Sequence, residues 1–228
     1  MAVDENWDVI LIGAGQNNFA LGTYLSMAGL ETVICESRLE NGGRLFSEEI
    51  TLPGYWHNSL AYFQNNREIS PVWQELDWEN GHHAEFVTPP VISSLLLPGG
   101  ASVSHHQDLE GTVRSIAQHS VEDAQTWKDI HQRFRSIVRT ILIPSYYAPP
   151  QPQADLEARI ATNPVGKDFV RFARMSAAEL AKDLFTSEAV QTLVLSQMAI
   201  PRGWALDYEG GGCEVLALIA GDESPPLA

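Results

Sequence analysis

"DVILIGAGQNNFALG" (residues 8–22) is the stretch on which the reading of this chain turns. Trp7 to Ile12 form a short apolar run rich in β-branched residues and closed by Gly13, the pattern of a strand buried on both faces in a parallel sheet. Past the glycines, Phe19, Tyr24, Leu25, Met27, Ala28 and Leu30 recur at helical spacing until Gly29 and Leu30 end the segment, and TVICE (32–36) reads as a second strand. The order of strand, glycine turn, helix and strand predicts a βαβ start.

The turn has the layout G-x-G-x-x-G, except that Asn18 stands at the third glycine. Bare backbone N–H groups at a helix N-terminus, reinforced by the helix dipole, hold a pyrophosphate; Gly13 permits the tight turn and Gly15 the close approach. The third position normally lets helix and strand pack closely. Asn is small, and Gly22, four residues on along the same face, keeps one close-approach position. On this reading Asn18→Gly leaves cofactor affinity unchanged or improves it.

Glu36 ends the second strand, where a carboxylate accepts hydrogen bonds from both hydroxyls of an adenosine ribose and repels a 2′-phosphate, which argues against NADP. Gly42-Gly43-Arg44 follow, and an arginine after paired glycines can reach back to a pyrophosphate with its fixed fork. FAD is the preferred cofactor. The competing reading is a structural βα turn whose glycines serve packing alone.

The remaining composition narrows the partners. The chain has 228 residues, 44% of them hydrophobic, enough for a buried core. Its formal net charge of -15 repels phosphate backbones and anionic lipid surfaces, so nucleic acid is not expected as a partner. Cys35 and Cys213 lie far apart in no metal-ligand spacing, so neither a disulfide framework nor a zinc site is expected. MAVDENW lacks a basic leader, and no apolar run approaches a membrane span, so a cytoplasmic chain without a membrane span is expected.

Beyond Ser37 the chain is irregular to about Tyr62. Between Asp108 and Ile143, two helices are expected to meet near His119, with Ser120 and Asp123 in a capping-box pattern and Trp127, Ile130, Phe134, Ile137 and Ile141 on one face. A proline-rich stretch at about 144–164 reads as a connector or surface excursion outside the core. From about Gly166 to Met198 helical signals return, with Ser176 and Glu179 as a second capping box. The expected class is α/β, a Rossmann-like FAD-binding βαβ unit followed by a largely helical region. Residues 1–65 would form the N-terminal part of the FAD domain and 66–228 part of a substrate or cap region.

Together these residues resemble the FAD-dependent phytoene desaturase-like oxidoreductases, especially the branch containing a pyridine nucleotide-disulfide oxidoreductase domain, within the amine-oxidase and glutathione-reductase type flavoproteins. Gly13-Ala14-Gly15-x-Asn17, Tyr24-Leu25, Glu36, Gly42-Gly43, Glu48-Glu49 and Pro53-Gly54-Tyr55 carry the likeness, and HSVEDAQTW (119–127) and MSAAELAKDLFTSEAV (175–190) extend it. The resemblance implies a cofactor site made of Gly13, Ala14, Gly15, Gln16, Asn17, Asn18, Glu36, Ser37, Arg38, Gly42, Gly43, Arg44 and Ser59. It also implies hydride transfer to flavin from C–C or C–N bonds of a largely apolar substrate, cyclic molecules included. Members of the family are considerably longer than this chain, and no later glycine motif stands out in EGGGCEVLALIAGDESPPLA (209–228). The expectation is therefore a split enzyme, active as a hetero-oligomer, in which a second polypeptide supplies the C-terminal half of the fold. The alternative is a non-catalytic escort protein of the related GDP-dissociation-inhibitor type.

Other candidates carry plainer readings. His57 falls where the family's chain passes near the flavin, so an imidazole there could take a proton, although a hydrogen-bonded structural histidine is the simpler reading. His82-His83 and His105-His106 read as loop histidines, since adjacent side chains point apart. Trp56, Tyr62, Phe63, Trp73 and Trp78 could line an apolar pocket or pack in a core. The PGG (98–100) and EGGGC (209–213) stretches read as turns.

Overall fold

A computed structural model describes residues 6–58, 60, 70–76, 89–200, 203 and 205–221. The chain divides into two compact units, Met1–Gln64 and Asn65–Ala228.

In the first unit, strand β1 (Val9–Ile12) pairs in parallel with β2 (Thr32–Cys35), and helix α1 (Gln16–Met27) makes the crossover. Val9 stands opposite Thr32 and Ile12 opposite Cys35. Gly22 is the buried residue of α1, and a Cβ added to it would lie 3.3 Å from both Leu11 Cδ1 and Ile34 Cδ1. This glycine sets how closely helix and strands approach, the packing role that the fingerprint gives to its third position. A 3₁₀ turn (Gly43–Leu45) and a short antiparallel pair, β3 (Ser47–Glu48) with β4 (His57–Asn58), complete the described part.

Strand β1 departs from expectation. Leu11 is buried, but Ile10 is 59% and Ile12 77% exposed. Alternate side chains leave opposite faces of a strand, and the described sheet has two strands, with α1 packed on one face. The apolar character of β1 thus exceeds what the described residues cover.

In the second unit, helix α2 (Pro71–Glu75) precedes a hairpin of β5 (Val91–Leu96) and β6 (Ser102–His106), turned at Gly99 and Gly100. His105 and His106 therefore lie on a strand, not in a loop. Helices α3 (Leu109–Ala117) and α4 (Val121–Ile137) follow, the latter continuing through a π-helical turn at Val138–Leu142 into α5 (Ile143–Ser145). Trp127, Ile130, Phe134 and Ile137 of α4 are all buried, and Phe134 meets Phe169 and Phe172 edge-on at 5.4 and 6.0 Å. Such aromatic pairs contribute about 0.5–1.5 kcal/mol each beyond area burial.

The proline-rich stretch is not wholly a surface excursion. It contains α6 (Gln153–Ala161), which opens after Pro152 and places Ile160 in the core. Next come α7 (Gly166–Ala173), α8 (Ala177–Leu184) and α9 (Glu188–Ala199). The Ser176–Glu179 capping box closes reciprocally at the start of α8.

Beyond the turn at Gly210, α10 (Gly212–Ala220) runs through the middle of the unit with every residue but Cys213 buried. A Cβ on Gly212 would overlap the Phe172 carbonyl oxygen and stand 3.0 Å from that of Met175, so only glycine admits the helix there. A helix that is apolar all round is stable only when enclosed. Here α4, α7 and α8 supply contacts around it.

Candidate cofactor site

Two glycine loops meet at the C-terminal end of β1. The N–H of Gly42 donates to the Ala14 carbonyl at 2.8 Å, and Gly15 and Gly42 form an isolated parallel bridge. Gly42 and Gly43 adopt φ of 113° and 60°, and a Cβ on Gly43 would lie 3.0 Å from Gly15 Cα. Both conformations and the close backbone contact explain the paired glycines.

Gly15 is different. It caps α1 at φ −85°, which any residue can adopt, and nothing lies within 4 Å of where its Cβ would stand. Among the described residues, neither strain nor internal packing calls for glycine at this position, which leaves the first turn of α1 open to close approach. No side chain caps this helix end, so the backbone N–H groups of Gln16 and Asn17 keep the character of an anion site. This donor set fits the pyrophosphate of a dinucleotide.

Glu36 closes the other side of the turn. Its Oε2 accepts the N–H of Ala14 at 2.7 Å, and its Oε1 accepts those of Ser37 at 2.7 Å and Arg38 at 3.0 Å, with the Ser37 hydroxyl at 3.2 Å. These donors, Ala14 foremost, hold the carboxyl down at about 2, so it is ionised and purely an acceptor at neutral pH. Oε2 retains a lone pair for a hydroxyl, but part of Glu36 serves to fasten β2 to the turn.

The other expected residues sort by what they touch. Arg38 pairs with Glu40 at 3.5 Å and Glu48 at 3.9 Å and lies 4.5 Å over the Phe46 ring, so the local surface engages its charge. Arg44 is exposed on the 3₁₀ turn and makes no ion pair among the described residues. Asn18 turns inward, its amide Nδ2 donating to the carbonyls of Ile12 and Gly13, both at 2.8 Å. Ser59 lies outside the described residues, as do Tyr62, Phe63, Trp78, His82 and His83. Trp56 is exposed rather than lining a pocket.

His57 sits on β4 opposite Glu48, its Nε2 2.8 Å from the Thr51 hydroxyl, so one ring nitrogen is occupied by a structural partner. Among the described residues no cluster of three or more His, Cys, Asp or Glu could hold a metal, and no helix is long and apolar enough to cross a membrane.

By itself, the second unit holds a buried polar layer, built on His105 and Gln197, that sequence reasoning missed. His105 Nδ1 is 2.9 Å from Gln197 Oε1, and its ring meets Trp127 edge-on at 5.6 Å. Burial pushes this imidazole below its usual range, opposed by the Gln197 hydrogen bond. A cavity of about 770 Å³ opens over Leu156, Ile160, Phe169 and Val170, with the Glu157–Arg174 pair at its rim. Cys213 faces the same cavity, its thiol pushed up to about 12 by burial and the neighbouring Glu214 carboxylate. The signal for this layer lies in residues distant in sequence, and no local spacing announces it.

The fold is a mixture of helices and small sheets like that of part of an FAD-dependent oxidase: a triple mutant of putrescine oxidase superposes with a TM-score of 0.58 at 15% identity, covering 96% of this chain and 43% of that one. By sequence, the chain is 28% identical over 208 residues to one of the subunits of limonene dehydrogenase from Castellaniella defragrans, spanning 91% of this chain and 37% of that protein. It is 26% identical over 141 residues to pyridine nucleotide-disulfide oxidoreductase domain-containing protein 2 of Rattus norvegicus, 59% of this chain and 24% of that protein. No family model matches. The chain is thus similar to FAD-dependent oxidoreductases of this kind, and it spans well under half the length of the relatives it matches.

Proposed function

We propose that this chain is a subunit of an FAD-dependent dehydrogenase and holds the adenosine and pyrophosphate end of the cofactor. The observation that carries the proposal is the meeting of the two glycine loops, with Gly42 hydrogen-bonded to Ala14 and Glu36 fastened beside them. In this reading the N–H groups of Gln16 and Asn17 take the pyrophosphate, Arg44 supplies a cation from the second loop, and Glu36 accepts from ribose hydroxyls. Gly13, Ala14, Asn18, Gly42 and Gly43 shape the turn; Ser37 and Arg38 hold Glu36 through their N–H groups.

Bound FAD supplies a two-electron acceptor, so that a hydride and a proton leave adjacent atoms of the substrate and a double bond remains. The substrate class we favour is a largely apolar molecule, which fits the relation to a limonene dehydrogenase. We assign no catalytic base in this chain.

The same reading includes a second polypeptide that completes the flavoprotein fold. Two observations support it: the exposed Ile10 and Ile12 on an apolar strand, and the relation to a protein that is itself named as a subunit. An exposed apolar strand face and open edge invite pairing with further chain.

The test is a visible spectrum of the purified chain, alone and with the polypeptides that co-purify with it, after addition of FAD. Bound flavin absorbance that bleaches anaerobically on addition of an apolar hydrocarbon, limonene first, is the expected result. A colourless chain in both preparations overturns the proposal.

A further inference from the structure

We propose that Asn18 is a positioning residue of the cofactor site, a clamp that holds the glycine turn in its binding shape; this rests on the FAD reading above. The third glycine of the fingerprint serves close packing of helix on strand, and in this chain Gly22 does that work against Leu11 and Ile34. Position 18 is thereby released to carry a side chain.

The geometry of the turn shows what that side chain does. A peptide unit is planar, so holding its carbonyl and its N–H fixes the whole plane. In the Ile12–Gly13 peptide, the Ile12 carbonyl accepts from Asn18 Nδ2 at 2.8 Å and the Gly13 N–H donates to the Cys35 carbonyl at 2.7 Å. In the Gly13–Ala14 peptide, the Gly13 carbonyl accepts from the same Nδ2 at 2.8 Å and the Ala14 N–H donates to Glu36 Oε2 at 2.7 Å. Two consecutive peptide planes are thus held at both ends, and one amide group supplies both carbonyl contacts. Its two N–H groups match the two carbonyls one for one.

Glycine at position 18 removes half of these restraints from the segment that leads into the N-terminus of α1. The turn then samples other orientations, and a ligand must pay the ordering entropy on binding. Asn18→Gly, which the fingerprint alone favours, is therefore expected to weaken binding.

The experiment compares the full chain with Asn18→Gly, Asn18→Ala and, as control, Thr23→Ala, which removes a side-chain hydrogen bond to the Phe19 carbonyl one turn further along α1. Two readouts are taken: calorimetric titration with ADP and with FAD, and hydrogen exchange across residues 12–17. Both Asn18 variants are expected to weaken ADP and FAD in parallel, on the order of tenfold for two lost hydrogen bonds, and to speed exchange in the turn. Thr23→Ala should match the unsubstituted chain in both. Because alanine favours helix more than glycine, an equal loss in the two variants assigns the effect to the amide rather than to helix propensity.

Unchanged or tighter binding in Asn18→Gly overturns the proposal, whatever the exchange. Weaker binding without faster exchange also overturns it, since Asn18 would then touch the ligand directly. An unsubstituted chain that binds neither ADP nor FAD, alone or with the polypeptides that co-purify with it, overturns the cofactor reading instead, and the exchange rates alone then decide whether Asn18 clamps the turn.

Discussion

The N–H of Ala14 and the carboxylate of Glu36 are joined at 2.7 Å, tying the glycine turn after β1 to the end of β2. The acid expected to receive a ribose therefore also holds the turn that would receive the pyrophosphate. Loss of its charge affects both roles, which leads to the first prediction.

Glu36 carries a carboxyl held at about 2 by the N–H groups of Ala14, Arg38 and Ser37. Its depressed value in the folded chain means that its contribution to stability is complete above the ordinary carboxyl range near 4.5 and is lost as pH falls from there towards 2. Carboxyl carbon NMR, with Glu36→Gln for assignment, should show Glu36 still ionised at pH 3. A Glu36 midpoint near the ordinary value would disprove the triple N–H arrangement.

Gly43→Ala should damage the contact between the glycine loops. Its φ of 60° costs a side-chain-bearing residue about 1–2 kcal/mol. The added Cβ also meets Gly15 Cα at 3.0 Å. Gly54→Ala is the comparison, since it shares a positive φ of 86° but has nothing within 4 Å among the described residues. Gly43→Ala should lower both thermal stability and FAD affinity, Gly54→Ala thermal stability only.

Asp123 is 0% exposed, and its carboxylate accepts the Thr186 N–H at 2.9 Å, the Thr186 hydroxyl at 3.0 Å and the Ser187 N–H at 2.8 Å. It joins the start of α4 to the segment that leads into α9. Asp123→Ala strands buried donors and should destabilise the helical unit by about 2–3 kcal/mol in denaturant titration. A Ser120→Ala variant, which loses a single cap contact, should cost about 1 kcal/mol. Equal losses would contradict a bridging role for Asp123.

His105 is buried against Trp127 and Gln197, with its folded pKa lowered by desolvation, while the unfolded chain titrates near 6.5. Below that value the unfolded state takes up a proton that the folded state resists, so stability present at pH 7.5 declines as pH falls below about 6.5. His105→Gln should flatten this part of the profile, measured as Tm at pH 7.5 and pH 5.5. A slope identical to that of the unsubstituted chain would assign the acid sensitivity elsewhere.

The βαβ start was legible because each of its signals is local: a β-branched run, a glycine turn and an apolar helix spacing, with β2 at Thr32–Cys35 inside the expected segment. The buried face of α4 was legible for the same reason. Helix α10 was not, because an evenly apolar stretch after three glycines has no period to read, and only its enclosure by α4, α7 and α8 makes it a helix in the core. The Ser120–Asp123 pattern marked a helix start correctly, yet the aspartate turns to a partner 63 residues away. A local motif cannot report that choice, since both uses satisfy a buried carboxylate.

The order of chemical groups along the first forty-four residues follows from sequence alone, because a helix N-terminus, bare glycine backbone and an acid at a strand end are properties of neighbouring residues. What Asn18 does was decided only in three dimensions. As a letter in a fingerprint it is a missing glycine; in the folded chain Gly22 provides the close approach, and the Asn18 amide reaches two carbonyls at the end of β1 that the packing of α1 has brought into its range. Hydrogen bonds depend on where backbone groups come to lie, and that is set by the packing of a helix on a strand pair rather than by the spacing of residues in a chain.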